Sequence, residues 1–437
     1  MEFLTLGLFC AALLLCVALG LPILWAMLAG LLLFLLYGRR KGFSWPALGR
    51  MTLSGVKTVK NMLLTFLLIG VLTALWRAAG TVAVLVCYAA RLIRPSLFLL
   101  MAFLLNCLVS YLTGTSFGTA ATMGVVCTTI AAAMGVSPAP AGGAVLAGVF
   151  FGDRCSPLST SALLVAEVTG TDIFSNIRRM LRSAAVPFCA ACAVYAAAGF
   201  LTGGSGEAPD LTALFGREFT LHWAALLPAA VILVLSLFRV PVRIAMAASI
   251  AAALPLCLLL QSTTLAGLPS LILTGYRAAD PEAAALLNGG GILSMLNVAV
   301  IVCLSACYAG IFRETGLLDG IQGAVRRLAV RTTPFTALFC TALAACAIAC
   351  NQSLAILLTN QLCAEAMDSP ADLALGLEDT AVVLAALIPW SIAGAVPLAT
   401  VGAPTSSILF ACFLYFLPLW RLITAHKRRR IPARQTE

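Results

Sequence analysis

Charged side chains are scarce in this sequence. They make up 10% of its 437 residues, whereas an ordinary soluble domain contains about 25%. Hydrophobic residues account for 62%, and the mean hydropathy is +1.04. A soluble fold cannot bury that much apolar surface, so the composition argues against a disordered chain, a secreted disulfide scaffold and a nucleic-acid-binding domain. It predicts an all-α polytopic membrane protein with about 10–12 transmembrane helices, at roughly 20 residues per span.

Histidine is nearly absent, and so are the motifs of ATP-driven pumps. The sequence has 2 histidines, His222 and His426, which argues against a histidine-based metal centre. No lysine follows a glycine, so the G-K-[ST] phosphate loop is missing. No lysine follows an aspartate either, so the Asp-Lys signature of phosphorylated cation pumps is missing. We therefore expect a protein that uses an ion gradient and needs no cofactor.

The 16 cysteines are scattered through apolar segments and do not form a framework. One C-x-x-C pair, Cys189 and Cys192, lies within an apolar helical stretch, and no second pair completes a metal site. We therefore expect these cysteines to pack as small hydrophobic side chains.

The net charge of +10 comes from basic residues that cluster in short loops and at the C-terminus. This is the positive-inside pattern of membrane proteins, so no nucleic-acid partner is needed to explain the charge. Residues 39–60, 178–182 and 427–434 are predicted to be inside, whereas 203–218 and the acidic segment 364–379 are predicted to be external. The pattern predicts a multi-pass protein of the inner (cytoplasmic) membrane of the cell, with both termini cytoplasmic.

Two halves of the chain share a pattern of apolar runs that are interrupted by polar breaks. The breaks are residues 113–119 and 152–161 in the first half, and 351–353 and 389–394 in the second, at nearly equal spacing. Such a pattern is typical of transporters in which broken or re-entrant helices from two related repeats meet at the membrane midplane. The sequence therefore predicts transport by two repeats.

We expect the two repeats to be inverted, but the charges leave this open. Arg91 and Arg94 precede the apolar run of the first repeat, and Arg331 precedes that of the second. By the positive-inside rule, this favours a cytoplasmic start for both runs. One span plus a surface helix between Lys60 and Arg94 would restore inversion. The predicted segments are 1–60, an N-terminal two-helix hairpin and basic cytoplasmic loop; 61–202, the first transport repeat; 203–288, a linking outer loop and connecting helices; and 289–437, the second transport repeat and basic tail.

Polar side chains in the breaks are the candidate ligands of a transported ion. Unwound backbone is tolerated inside a membrane where it lines a cavity or is buried in protein. Its freed carbonyls, together with nearby hydroxyls, can replace the water around Na⁺, although hydroxyls can also simply join helices. The predicted ion- or substrate-binding residues are Thr113, Gly114, Thr115, Ser116, Thr119, Asp153, Ser156, Ser159, Thr160, Asn351, Gln352, Ser353, Asp379 and Ser391.

Asp153 is the sharpest single candidate, because a carboxylate within a membrane can hold either a cation or a proton. Competition between the two is the simplest basis of exchange. The predicted Na⁺ ligands are Asp153, Ser116 and Ser156, and the predicted proton carriers are Asp153, Glu167 and Glu378. The alternative for Asp153 is an ion pair with Arg154 at a helix end, and Glu378 and Asp379 can also be interpreted as outer-loop charges.

At these residues the chain resembles the NhaC-type sodium/proton antiporters of the ion transporter superfamily. The resemblance covers most of residues 60–420, and its motifs are 69–82, 113–119, 151–172, 289–316 and 377–390. It implies an inner-membrane carrier that exchanges Na⁺ for H⁺, and some relatives exchange small carboxylates. The expected partners are membrane lipid and a small inorganic cation, while a small organic anion and a homodimer stay open.

The sequence also departs from the family pattern. Thr160 and Leu163 stand where the pattern usually has aspartate and asparagine, and Ser391 stands where it tends to have asparagine. Leu384 and Ala385 replace expected hydroxyls, so the cation site is leaner than the pattern. This keeps open a Na⁺- or H⁺-coupled carrier of a small organic anion or amino acid, such as a malate/lactate-type exchanger. A membrane-embedded enzyme is the remaining alternative, and the repeated broken helices argue against it.

Overall fold

The computed structural model describes residues 2–19, 21–92, 95–202, 211–238, 240–261, 263–315, 327 and 331–430. The helices up to residue 202 are α1 (Glu2–Ala18), α2 (Ile23–Arg40), α3 (Trp45–Thr58), α4 (Lys60–Ala78), α5 (Thr81–Leu92), α6 (Phe98–Thr113), α7 (Ser116–Ala133, with a π-helical segment at Ala120–Gly124), α8 (Pro138–Cys155), α9 (Thr160–Thr169) and α10 (Ile173–Thr202). The described part of the chain contains no β-strand, only an isolated bridge between Tyr276 and Gly289. The predicted all-α fold is therefore confirmed.

The remaining helices continue the same architecture. They are α11 (Leu211–Gly216), α12 (Leu227–Leu237), α13 (Val242–Leu259), α14 (Leu268–Thr274), α15 (Pro281–Leu287), α16 (Leu296–Thr315), α17 (Pro334–Ala349), α18 (Gln352–Cys363), α19 (Pro370–Leu387), α20 (Ile392–Thr400) and α21 (Cys412–Arg430). Short 3₁₀ turns are Pro95–Leu97, Trp223–Leu226, Leu265–Gly267, Ile292–Met295, Ala364–Ala366 and Thr405–Phe410. Two N-terminal apolar runs of the sequence, residues 3–19 and 21–37, correspond to α1 and α2.

Six of the described helices are long and apolar enough to cross a membrane, or seven spans if the bent pair α19–α20 counts as one. This is fewer than the 10–12 expected, because several apolar helices are only 10–17 residues long. A ten-residue helix rises about 15 Å, or about half of the hydrocarbon core. Two such helices in series are needed to cross the membrane once. The polar breaks that divide these spans therefore lower the number of full-length helices.

Within each half, the helix before the first break runs parallel to the helix before the second. In the first half, α6 packs along α8: the α-carbon of Gly148 faces Phe103 and Asn106, and that of Gly152 faces Ser110 further along both helices. In the second half, α17 packs along α19 in the same sense. There Leu338 contacts Gly376, and the Cys346 thiol donates to the Ala381 carbonyl at 3.5 Å.

The two halves run in opposite directions. Pro138, at the start of α8, lines the same cavity as Ala403, which follows α20. At the other end of the molecule, Arg179 near the start of α10 pairs with Asp372 in the first turn of α19, at 2.5 Å. The path from α8 through α9 is therefore antiparallel to the path from α19 through α20. Because α6 runs parallel to α8 and α17 runs parallel to α19, α6 and α17 start at opposite ends of the molecule.

The Arg179–Asp372 ion pair contradicts one prediction from the charge pattern. That pattern predicts residues 178–182 inside and 364–379 outside, but the ion pair places both segments at the same end of the molecule. The two assignments therefore cannot both hold, and the one for 364–379 rests on acidic residues alone. Acidic residues contribute little to membrane orientation, and those of 364–379 include partners of arginines from distant segments.

The close contact between α6 and α8 depends on glycine at position 152. A Cβ added there would lie 2.3 Å from the Ser110 carbonyl carbon and from the Tyr111 nitrogen. We expect Gly152→Ala to force the helices apart and to lower the apparent melting temperature in detergent, at a cost of about 1–3 kcal/mol. The control is Gly7→Ala on α1, where nothing lies within 4 Å. Equal melting temperatures for the two variants would contradict this account of the packing.

Candidate functional site

The second break of the first half presents hydroxyls directly after Asp153. Helix α8 ends at Cys155, because Pro157 has no N–H to continue the ladder and favours extended backbone at Ser156, whose ψ is 137°. Ser159 then caps α9 by accepting from the backbone N–H groups of Ser161 and Ala162. The chain therefore turns back over the end of α8, and two serine hydroxyls face the Asp153 carboxylate.

Asp153 is 4% exposed and is held by neutral groups. The hydroxyl of Ser159 donates to Oδ1 at 3.1 Å, and the hydroxyl of Ser161 donates to Oδ2 at 3.2 Å. The amide Nε2 of Gln352 also donates to Oδ2, at 3.3 Å, and the backbone N–H of Ser116 faces the same carboxylate. Among the described basic residues, none forms an ion pair with Asp153.

The first break of the second half brings Gln352 to this carboxylate. Helix α17 ends at Cys350, which has a φ of 53° and is the one non-glycine residue with positive φ in the described chain. This conformation costs roughly 1–2 kcal/mol. Asn351 then caps α18 with its side chain, and Gln352 donates both to Asp153 and to the Val382 carbonyl, at 3.0 Å. The Asp153 site is therefore built by both halves.

The structure gathers some of the predicted residues around Asp153 and leaves others apart. Ser159 and Gln352 contact its carboxylate, and Ser116 faces it through the backbone. The other predicted residues in the breaks act locally. The hydroxyls of Thr113 and Thr119 form a hydrogen bond with each other, and Gly114 ends α6 with a φ of 67°. The Ser156 hydroxyl accepts a hydrogen bond from the Leu158 N–H. The side chains of Thr115, Asn351 and Ser391 cap the N-termini of α7, α18 and α20. Thr160, Glu167 and Ser353 are exposed.

Asp379 belongs to a second buried cluster. Its Oδ1 pairs with the guanidinium of Arg154 and accepts from the Ser183 hydroxyl at 3.1 Å. Its Oδ2 lies 2.7 Å from Nε of Arg421, an ion-pair distance at which the two groups are not aligned as a hydrogen bond. Arg154 and Asp379 are fully buried. The Asp153–Arg154 ion pair, the alternative for Asp153, is therefore absent from the described contacts, and Arg154 pairs with Asp379 instead.

Glu378 lies beside this cluster on α19. It is fully buried, and neither carboxylate oxygen has a hydrogen-bond partner among the described residues. An ionised carboxylate there would lose its hydration, and the nearby cation, Arg154, already pairs with Asp379. The role of Glu378 as a proton carrier stays a prediction.

The sequence analysis missed Ser161, Ser183 and Arg421. Ser161 lies in the same turn as the predicted Ser159, but sequence alone does not show which of three adjacent hydroxyls faces Asp153. The partners of Arg154 and Asp379 come from distant segments, so no local pattern could indicate them.

In the described residues no group of three or more His, Cys, Asp or Glu side chains has the geometry of a metal site.

Comparisons with known proteins decide the family. The Na⁺/H⁺ antiporter family model matches residues 3–167 and 148–424. The chain belongs to the Na⁺/H⁺ antiporter family. It is 28% identical to the Na⁺/H⁺ antiporter NhaC of Alkalihalophilus pseudofirmus over 410 residues, which are 90% of this chain and 87% of that protein. This confirms the NhaC-type resemblance, and with the apolar helices it makes the chain a multi-pass membrane protein.

Other relatives of this antiporter-family chain carry different names. A malate-2H⁺/Na⁺-lactate antiporter of Bacillus subtilis is 26% identical over 414 residues, or 92% of this chain and 88% of that protein. An arginine/ornithine antiporter, ArcD of Halobacterium salinarum, is 26% identical over 387 residues, or 84% of this chain and 79% of that protein. The named relatives are antiporters and not enzymes, so the family argues against a membrane-embedded enzyme.

Adjacent hydroxyls on α9 offer a test of the site geometry in this antiporter-family chain. We expect Ser161→Ala to remove one donor to Asp153 and to weaken the apparent Na⁺ affinity about three- to tenfold, the effect of one hydrogen bond of about 1 kcal/mol. Thr160→Ala, at the exposed neighbouring position, should leave it unchanged. The measurement is the Na⁺ dependence of proton movement in proteoliposomes. A larger effect from Thr160→Ala would contradict the geometry.

Proposed function

We propose that this protein exchanges Na⁺ for H⁺ across the cytoplasmic membrane, with Asp153 as the group for which the two ions compete. The observation that carries the proposal is a buried carboxylate that is held by neutral donors and has no basic partner among the described residues. Burying a charge without a counter-ion costs several kcal/mol. Asp153 is therefore stable in a buried site when it carries a proton or binds a cation. Binding of either ion excludes the other, so Na⁺ and H⁺ compete for this carboxylate.

The two-sided construction of the site supports alternating access. Ser159 and Ser161 belong to the first half, whereas Gln352 belongs to the second. The halves run antiparallel, and each contributes a helix that ends at a left-handed residue, Gly114 or Cys350. We infer that they are inverted repeats whose relative movement opens Asp153 to one side and then to the other. Glu378 would carry protons beside this path.

The charge pattern supports an orientation for the exchanger. Arg179 and Arg331 lie at one end of the molecule, and the basic C-terminal tail follows at the same end. By the positive-inside rule this end faces the cytoplasm, and both termini would then be cytoplasmic.

Proton flux in proteoliposomes tests the proposed exchange. The purified protein is reconstituted with a pH dye inside, and Na⁺, Li⁺ or K⁺ is added outside without other driving forces. We expect Na⁺ to drive protons out of the lumen. A folded preparation that responds to none of the three cations would contradict the proposal.

A second candidate is the coupled exchange of a small organic anion or amino acid. The observation that favours it is the small number of oxygen ligands near Asp153: among the described side chains, two serine hydroxyls donate to the carboxylate, and the third donor is the amide nitrogen of Gln352. The relatives named for malate, lactate, arginine and ornithine support the same candidate. Uptake of radiolabelled organic acids and amino acids, driven by a Na⁺ or pH gradient, separates it from simple Na⁺/H⁺ exchange.

A further inference from the structure

A cavity of about 230 Å³ lies at the end of the molecule where α4 ends and α8 begins. Its walls come from both halves: Thr128, Thr129 and Pro138 belong to the first, and Val401 and Ala403 follow α20 in the second. The Thr128 hydroxyl donates to the Val401 carbonyl at 3.0 Å and so joins the two walls. Ala141, in the cavity wall, precedes Asp153 by twelve residues of α8, or about 18 Å, so this cavity is separate from the Asp153 site.

Arg77 supplies the positive charge of this cavity. The residue is 9% exposed, and among the described residues its guanidinium makes one hydrogen bond, from Nη1 to the Asn288 carbonyl at 3.2 Å. Its Nε has no hydrogen-bond partner in the described chain, and no described carboxylate pairs with it. No Asp or Glu lines the cavity. A buried guanidinium with free donors is costly unless an acceptor or an anion satisfies them.

Three consecutive glycines keep the space around Arg77 open. Gly289, Gly290 and Gly291 have φ values of 132°, 77° and 85°, which L side chains rarely adopt. A Cβ at Gly290 would lie 2.6 Å from the Ala74 nitrogen, so the loop packs directly on the backbone of α4. At Gly289 the three atoms nearest to an added Cβ belong to the Arg77 guanidinium, the nearest at 3.8 Å. This arrangement holds the guanidinium at the cavity wall.

We propose that this cavity is a binding site for a small carboxylate, whose carboxyl group pairs with Arg77. The planar guanidinium fork matches a carboxylate in geometry as well as in charge. Six of the other lining residues are apolar and suit a short alkyl chain: Ala131, Ala132, Val136, Leu286, Val401 and Ala403. The volume equals that of roughly eight waters at about 30 Å³ each, which is enough for an acid of a few carbons. The proposal goes beyond Na⁺/H⁺ exchange and does not depend on it.

Calorimetric titration of the full-length protein in nanodiscs tests the site without any gradient. The probes are acetate, butyrate and succinate in Na⁺-free buffer, with chloride and phosphate as inorganic anions. We expect the carboxylates to bind and Arg77→Gln to weaken them about ten- to a hundredfold, as for the loss of hydrogen bonds to a charged group. The control is Arg243→Gln, because Arg243 is an exposed arginine whose guanidinium bonds Asn61, and it should bind as the wild type does.

A second variant keeps Arg77 and changes only the size of the cavity. Ala132 is exposed at its lip, so Ala132→Leu should fold and should weaken butyrate and succinate more than acetate. This size dependence would not follow from a merely structural role of Arg77. The proposal is overturned if the folded wild type binds no carboxylate, if Arg77→Gln binds as tightly as the wild type, or if chloride or phosphate binds as tightly as the carboxylates.

Discussion

Replacing Asp153 by asparagine is expected to abolish Na⁺-driven proton movement. The asparagine oxygen can still accept from Ser159 or Ser161, so the local fold should survive, but the side chain neither titrates nor neutralises a cation. Removing the charge from a buried charge pair typically costs about 3–5 kcal/mol, which corresponds to a loss of more than about a hundredfold. The measurement is proton flux in proteoliposomes with the same dye and protein density for both proteins.

Asp172→Asn is the matched control for this prediction. Asp172 is exposed and caps α10 by accepting from the Ser175 N–H at 2.8 Å. Asparagine caps helices as well as aspartate does, so this variant should exchange ions as the wild type does. The proposed role of Asp153 would be refuted if Asp153→Asn, correctly folded by thermal unfolding and gel filtration, retained Na⁺-driven proton flux.

Removal of the Asp379 carboxylate is expected to have the largest effect on stability. In Asp379→Ala, Arg154 would remain fully buried without its counter-ion, and Arg421 would lose the same partner. Breaking a buried ion pair on one side costs about 3–5 kcal/mol. We therefore expect Asp379→Ala to unfold at a much lower temperature than the wild type in detergent, or to accumulate poorly in membranes.

Two further variants show whether this loss comes from the unpaired charge. Arg154→Met combined with Asp379→Leu removes both charges and should recover much of the stability, because apolar replacement of a buried pair is often neutral. Asp372→Asn breaks a partly exposed pair with Arg179, whose side chains are 32% and 42% exposed, and should cost about 1 kcal/mol or less. If Asp379→Ala and Asp372→Asn were equally stable, the buried cluster would have no special role.

The sequence predicts long, uninterrupted features of this fold well. The apolar runs 3–19 and 21–37 correspond to α1 and α2, because a sustained apolar run specifies a membrane helix on its own. The break at Pro157 was also predictable, since proline stops a helix locally. In contrast, the side of residues 364–379 depends on ion pairs such as Arg179–Asp372, which no loop charge reveals.

The candidate site was predictable only in part, for a similar reason. Asp153 and Ser159 stand out because polar residues in a membrane segment are costly. Gln352 was expected in the site, but its hydrogen bond to Asp153 joins residues 199 positions apart. Whether Thr160 or Ser161 faces Asp153 depends on how α9 is rotated after Pro157. The partner of Arg154, Asp379, lies 225 positions away. No pattern in the sequence indicates Arg77 as a binding residue, because its proposed role depends on the cavity around it.

The most direct test of the central claim is whether Na⁺ and protons compete at Asp153. Purified protein in weakly buffered detergent is mixed with Na⁺ while proton release is recorded, and binding of radiolabelled Na⁺ is measured over a range of pH. We predict that Na⁺ releases protons, that Na⁺ affinity falls as the pH is lowered, and that Asp153→Asn loses both effects. Na⁺ binding with the same affinity at every pH, or proton release that persists in Asp153→Asn, would contradict the account.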